Sequence, residues 1–197
     1  MFAAYNRDFV ARGEGFSLLI LESKDARADA ATFSAAGFAA SEDLRFERDA
    51  RRPDGSSVKV GFSLAFAEDK AVHDIHFASC QQHYPENFWN PAFQEHSNSV
   101  AGVVGVVVVA NQPEQHQKFF EVFADAPAVA RPGGFAIATP RNDRSGKSRR
   151  FLAAFRGQAT GYDSRRPACG PSLCRYSAEP SASGAGTRRH GGALCRK

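Results

Sequence analysis

Hydrophobic and polar positions along the first 141 residues follow an order of short strands interrupted by helices. Phe16–Glu22 (FSLLILE) is a brief, nearly continuous apolar run of strand length. Ser23 can cap the helix that follows, Lys24–Ala36, which is Ala-rich, acidic in its first turn and stopped at Gly37. Leu44–Arg48 reads as a strand, Pro53-Asp54-Gly55 as a turn, and Ser57–Ala67 and Asp74–Cys80 as two further strands. The order is β-α-β-β-β, a unit covering about residues 16–80. Val103–Val109, a helix from Pro113 to Ala124 and a strand at Phe135–Thr139 begin that order again, with Pro113 suited to a first helical turn. There the pattern stops. The second unit, about residues 103–141, is incomplete, and the fold class expected is α+β.

Alternation assigns faces to two of the strands. Val58, Val60, Phe62, Leu64 and Phe66 are apolar at every second position and should pack on the helix. The opposite face then carries Lys59, Gly61, Ser63 and Ala65, small and polar as a pocket wall would be. In the next strand Ile75 and Phe77 should point to the core, which leaves His76, Ala78 and Cys80 on the side of Ser63. Gln82 joins them if the chain stays extended. A concave face with Ser63, His76, Cys80 and Gln82 is the expected site.

Charge changes the picture only after it is divided. The chain has 197 residues and a formal net charge of +4. Residues 1–141 hold 13 Lys/Arg against 18 Asp/Glu, whereas residues 142–197 hold 12 against 3. The basicity therefore lies in the tail, and nothing in residues 1–141 points to nucleic acid as a partner. Residues 142–197 are dominated by Arg, Ser, Gly, Ala and Pro, too poor in large apolar side chains to offset the entropy of ordering. A disordered basic tail and an out-of-frame reading of GC-rich DNA from near residue 141 both account for that composition. Cys169, Cys174, His190 and Cys195 offer zinc-type ligands there, but the first pair is loosely spaced and no apolar residues stand ready around an ion. Met1–Gly15 lacks the pattern of an export signal, and Val100–Ala110 is about half the roughly 20 residues that span a bilayer. A cytoplasmic protein with reduced thiols, not associated with membranes, is the expectation.

The densest chemistry is the run Ser79–Asn98, SCQQHYPENFWNPAFQEHSN, which gathers Cys80, Gln81, Gln82, His83, Glu86 and His96 with Tyr84, Phe88, Trp89 and Phe93. Aromatics crowded among titratable groups mark a structured site or a buried loop. Each residue also has a plainer role. A loop histidine such as His83 or His96 commonly bonds to backbone, Cys80 at a strand end commonly packs as a small apolar group, and Phe88 with Trp89 can fold back as a lid. Asp25 and Asp29 read as a solvated helix face.

The Cys-Gln-x-His-x-Pro-Glu-x-x-Trp-x-Pro wording resembles the glyoxalase-like branch of the vicinal oxygen chelate superfamily, and Ala11–Ser23 (ARGEGFSLLILES) adds to the likeness. The resemblance covers about residues 8–141. It implies β-α-β-β-β modules, each a curved mixed sheet with a helix on one face, pairing to enclose a pocket that often holds a divalent metal ion. Relatives normally carry a further unit ahead of Tyr5, so the chain is expected to be truncated at the front. The family's first-strand ligand positions fall at about Phe16 and Val104, which cannot ligate. The metal candidates are then His76, Gln82, His83 and Glu86, with any remaining ligands coming from His96, a missing unit or a partner chain; a homodimer is a candidate assembly. The pocket candidates are Ser63, His76, Cys80, Gln82, His83 and Trp89. Three functions follow from the resemblance: lyase or dioxygenase chemistry on a small oxygenated metabolite, metal-free sequestration of such a ligand, or an inactive truncated fragment.

Overall fold

A ring in the middle of a strand organises the molecule: Phe77 meets Phe119 at 4.9 Å, Phe123 at 5.3 Å and Phe120 at 5.5 Å between centroids. A computed structural model describes residues 2–13, 15–39, 44–71, 75–89, 91, 95–98, 100–139, 150–156 and 175–180. The elements in chain order are α1 (Phe2–Arg12), β1 (Leu18–Ser23), α2 (Ala26–Ala35), β2 (Leu44–Arg51), β3 (Ser57–Ala67), β4 (His76–Gln82), α3 (Pro85–Phe88), β5 (Val100–Ala110), a 3-10 turn (Pro113–His116), α4 (Gln117–Ala124), β6 (Ala128–Arg131), β7 (Gly134–Thr139), β8 (Arg150–Arg156) and β9 (Arg175–Pro180). The expected β-α-β-β-β unit is present, as a mixed sheet in the order β1-β4-β3-β2 with β1 and β4 parallel. The expected strand Ser57–Ala67 has those bounds. The helix α1 was not anticipated.

Local chemistry explains the ends of α2. Asp25, not Ser23, is the cap: its side chain accepts from the amides of Arg27 and Ala28 at 3.1 and 3.0 Å. Ser23 instead accepts from the amide of Asp25. Asp25 is therefore more than a solvated charge, since it satisfies two of the orphan donors that every helix start exposes. At the other end Phe38 N–H donates to Phe33 O and Gly37 N–H to Ser34 O. That double bond pattern needs a left-handed residue, and Gly37 supplies it with φ +78°.

The second sheet has the order β6-β7-β8-β5-β9. Its β5-β8-β7-β6 portion repeats the first sheet, with β5 and β8 parallel and β8 and β7 antiparallel. Two segments of the stretch expected to be a disordered tail thus stand in strands: β8 in the fourth-strand place of the second unit, and β9 on the far edge of β5. An extended segment between β5 and β7 gains a ladder on both sides, which even the short run Phe151–Phe155 can use. The rest of residues 142–197, including Cys169, Cys174, His190 and Cys195, lies outside the described residues.

The two sheets share one core. Ala65, Ala67 and Phe77 from the first sheet, Phe33 from α2, Phe119, Phe120 and Phe123 from α4, and Phe135 and Ile137 from the second sheet form a single buried cluster. α4 therefore packs against both sheets, and the face of the first sheet turned away from this helix layer, its outward face, holds a second buried cluster of Leu64, Phe66 and Ala78. One polar contact ties the units within this layer: His116 Nδ1 and Asp69 Oδ2 are 2.7 Å apart, both nearly buried. A carboxylate can only accept, so with Asp69 ionised Nδ1 carries the hydrogen.

Replacing Phe77 with Ala should destabilise the protein by about 3–5 kcal/mol, because three neighbouring rings would border the cavity. Removing the cap with Asp25→Ala should cost about 1 kcal/mol. Urea unfolding followed by circular dichroism measures both, and the ordering of the two effects checks the shared-core description.

Candidate functional site

Strand register decides which of the expected site residues share a face. β3 and β4 pair as Phe62↔Gln82, Ser63↔Gln81, Leu64↔Cys80, Ala65↔Ser79, Phe66↔Ala78 and Ala67↔Phe77. Residues directly opposite in an antiparallel pair point to the same side. His76, Ala78, Cys80 and Gln82 therefore lie on the outward face, as expected, but they lie there with Phe62, Leu64 and Phe66. Ser63 and Ala65 lie on the helix-packed face. The assignment of β3 from alternation is reversed, and Ser63 does not line a wall with Cys80. Large side chains would hold the helices away from the sheet, so the small residues Ala65 and Ala67 face the helix layer and the large ones face out.

Distance divides the expected residues further. His76 and Gln82 are six steps apart on one strand, roughly 20 Å at about 3.3 Å per residue. His76 is also roughly 13 Å from Cys80 by the same measure, too far to act as its base. His83 has left the strand and its Nε2 bonds with Ser63 Oγ at 2.8 Å, on the helix-packed side. Glu86 and Trp89 lie in and just after α3 and are exposed, and His96 is exposed just before a turn. The proposed metal set of His76, Gln82, His83 and Glu86 does not converge. No group of three His, Cys, Asp or Glu able to hold an ion occurs among the described residues. At least three protein ligands at one point are what a divalent ion ordinarily needs, and His76, Gln82, His83 and Glu86 as placed here do not supply them.

What does converge is the end of the outward face around Gln82. Phe62, its cross-strand partner, meets Phe46 at 5.3 Å and Phe88 edge-on at 5.3 Å, and Phe88 meets Trp89 at 5.1 Å. Asn87 fastens α3 in this position: Arg52 Nη2 donates to its Oδ1 at 2.7 Å, and its Nδ2 donates to Lys59 O at 2.9 Å. The short helix thus folds back over the β3 side of the sheet, the lid arrangement expected for Phe88 and Trp89. Phe46, Phe88 and Trp89 are 40%, 38% and 49% exposed, so this row of rings is open to solution. Under it Gln82 Oε1 is buried and has no hydrogen-bond partner among the described residues. Native structures seldom leave such an acceptor bare, because its desolvation is then uncompensated.

Cys80 sits beside this point. Burial, and secondarily the charge of Glu22, push its thiol above the usual range. It packs with Leu64, Phe66 and Ala78 as a small apolar group. The sequence reading missed Asp69 and His116, because 47 residues separate them and only the packing of the two units brings them together. A separate open cleft of about 390 Å³ on the second unit is lined by Glu114, Gln117, Gly133, Gly134 and Phe135, none of them an expected site residue.

The family model described as a glyoxalase-like domain matches residues 2–123. Among solved structures the chain is similar to a hypothetical protein from Staphylococcus aureus, with 15% identity and a TM-score of 0.54 over 78% of this chain and 58% of that one. It is also similar to a mutant of 4-hydroxymandelate synthase from Streptomyces coelicolor, with 15% identity and a TM-score of 0.38 over 75% of this chain and 43% of that one. The first likeness concerns the fold, and the second is too distant to argue from. The chain spans less than two thirds of the length of either. None of the curated proteins compared with it matches.

Cys80 should alkylate slowly near neutral pH and faster only well into the alkaline range. Glu22→Gln should speed that reaction by removing the nearby negative charge, as peptide mapping after iodoacetamide treatment would show. A thiol raised by folding contributes stability below its unfolded pKa and loses it as pH rises through the folded one. Urea midpoints should accordingly fall on the alkaline side.

Proposed function

The chain belongs to the glyoxalase-like domain family, and from that membership we propose that it binds a small, partly aromatic molecule bearing a hydroxyl group. The outward face of the first sheet is the site. The observation that carries the proposal is Gln82 Oε1, a buried acceptor without a partner among the described residues, beneath an exposed row of rings. A planar apolar ligand entering beside Phe46 and Phe88 would cover half-exposed aromatic surface, and its hydroxyl would supply the missing donor. Leu64 and Cys80 would form the floor, the thiol remaining protonated.

This reading favours holding a ligand over transforming it. The residues expected to bind a divalent ion are spread along a strand and over both faces of the sheet, so no Lewis-acid step can be drawn through them. Neither His76 nor His83 is placed to take a proton from a ligand at Gln82, since one is far along the strand and the other bonds with Ser63 on the opposite side. The groups at the site orient and desolvate. Among the described residues no helix is long and apolar enough to cross a membrane.

Trp89, the one tryptophan of the chain, reports on the site. Titration with naphthol should change its emission saturably. Gln82→Leu should weaken that binding by about five- to tenfold while leaving thermal stability equal or higher, because an unpaired acceptor has been removed. Undiminished naphthol binding by the variant would overturn the assignment of Gln82.

A further inference from the structure

Among the described residues β2 is the edge of the first sheet, paired with β3 on one side and with nothing on the other. Seven of its eight residues are exposed. Edge strands are commonly blunted by a proline, a bulge or charged side chains. The five charges of β2 alternate in sign, so they oppose some pairings and favour others. Of the two backbone devices, a proline and a bulge, β2 has neither: its register with β3 runs unbroken from Leu44 to Arg51.

The outward backbone groups can be assigned. Arg52 N–H donates to Ser56 O across the turn. By the alternation of an antiparallel ladder, Leu44, Phe46, Arg48 and Ala50 then exchange hydrogen bonds with β3, and Arg45, Glu47 and Asp49 present theirs to the open edge. We propose that this edge pairs with the β2 edge of a second copy of the chain, antiparallel about a two-fold axis at Phe46, joining two four-stranded sheets into one of eight strands.

Charge selects that register. With the axis at Phe46, Arg45 lies opposite Glu47 of the second copy and Glu47 opposite its Arg45, both in hydrogen-bonded pairs. The two Phe46 rings meet in the closer, non-hydrogen-bonded position. An axis at Arg45 sets Arg45 on Arg45, and one at Glu47 sets Glu47 on Glu47. An axis at Arg48 sets Arg48 on Arg48, Arg45 on Arg51 and Glu47 on Asp49. In the favoured register the paired stretch is Leu44–Arg48, and Asp49 falls outside it. Leu44, 38% exposed, comes under the aliphatic stem of Arg48. The ring of Phe46, 40% exposed, gains a neighbour that extends its row with Phe62 and Phe88. Glu47 is ready for this role: the hydrogen bond from Arg45, then the charge of Lys59 and the Tyr84 hydroxyl, hold its carboxyl below the usual range. The pairing shares the Phe46 ring with the proposed ligand site but is carried by the backbone edge and the Arg45 and Glu47 charges, so it can hold or fail independently of ligand binding.

Sedimentation velocity of the full chain across a concentration series tests it. The wild type should form a dimer. R45E and E47R should each raise its dissociation constant about tenfold or more by opposing like charges, and the R45E/E47R double variant should recover dimerisation because opposite signs face each other again. In the wild type itself, the amides of Arg45 and Glu47 should gain protection from hydrogen exchange as concentration rises. A monomer at all concentrations overturns the proposal. So does a dimer whose Arg45 and Glu47 amides exchange no more slowly, or a double variant that is folded by circular dichroism yet stays monomeric.

Discussion

The packing of Phe77 against α4 determines how the two sheets are arranged. One residue of β4 touches three rings of a helix that belongs to the other unit, and the same helix reaches Phe135 of the second sheet through Phe120. α4 is consequently shared by both sheets. The first sheet's opposite face carries its own buried cluster of Leu64, Phe66 and Ala78, and only its end at Phe46, Phe88 and Trp89 is open to solution. The identity of that face is thus set by packing at a distance from the site.

That constraint also explains which parts of the fold were readable. The strands and α2 follow from local chemistry: apolar runs of the right length, a turn at Pro53-Asp54-Gly55, and a glycine where the helix end requires positive φ. Which face of β3 is buried does not follow. Its sequence alternates large apolar residues with small ones, and both sets are compatible with burial. Large residues usually mark the core side, and that rule assigned Phe62, Leu64 and Phe66 inward. The helices instead needed close approach, which Ala65 and Ala67 allow, so the rule gave the opposite answer. In β4 Phe77 is the only large ring, and there the assignment held.

The site was legible in part and for identifiable reasons. Cys80 and Gln82 were placed on the outward face, and α3 was read as a lid, because strand parity and aromatic content are local properties. The spacing of the metal candidates was local too: His76 and Gln82 stand six apart on one strand, which keeps these two from meeting at one ion. Asn87, which fastens the lid to the β2–β3 turn through Arg52 and Lys59, gave no signal, since its two bonds cross 35 and 28 residues of sequence. Family membership fixes the architecture without fixing the chemistry, which depends on the side chains that each chain places on the sheet.

Asp69 and His116 bear on why the two units hold one relative position. An aromatic interface is tolerant of sliding, because rings find comparable contacts over a range of offsets, whereas a hydrogen bond between two nearly buried polar groups is lost within about an ångström. Losing it would leave a carboxylate and an imidazole desolvated without compensation. Asp69 is itself held by the amide of Ala71, so it is fixed at the end of β3 before it reaches across. The rings supply the area of contact between the units, and this pair selects one alignment among those the rings would permit. The cost of a misplaced alignment thus falls largely on these two residues, and the Asp69–His116 bond adds register to an arrangement that the rings establish.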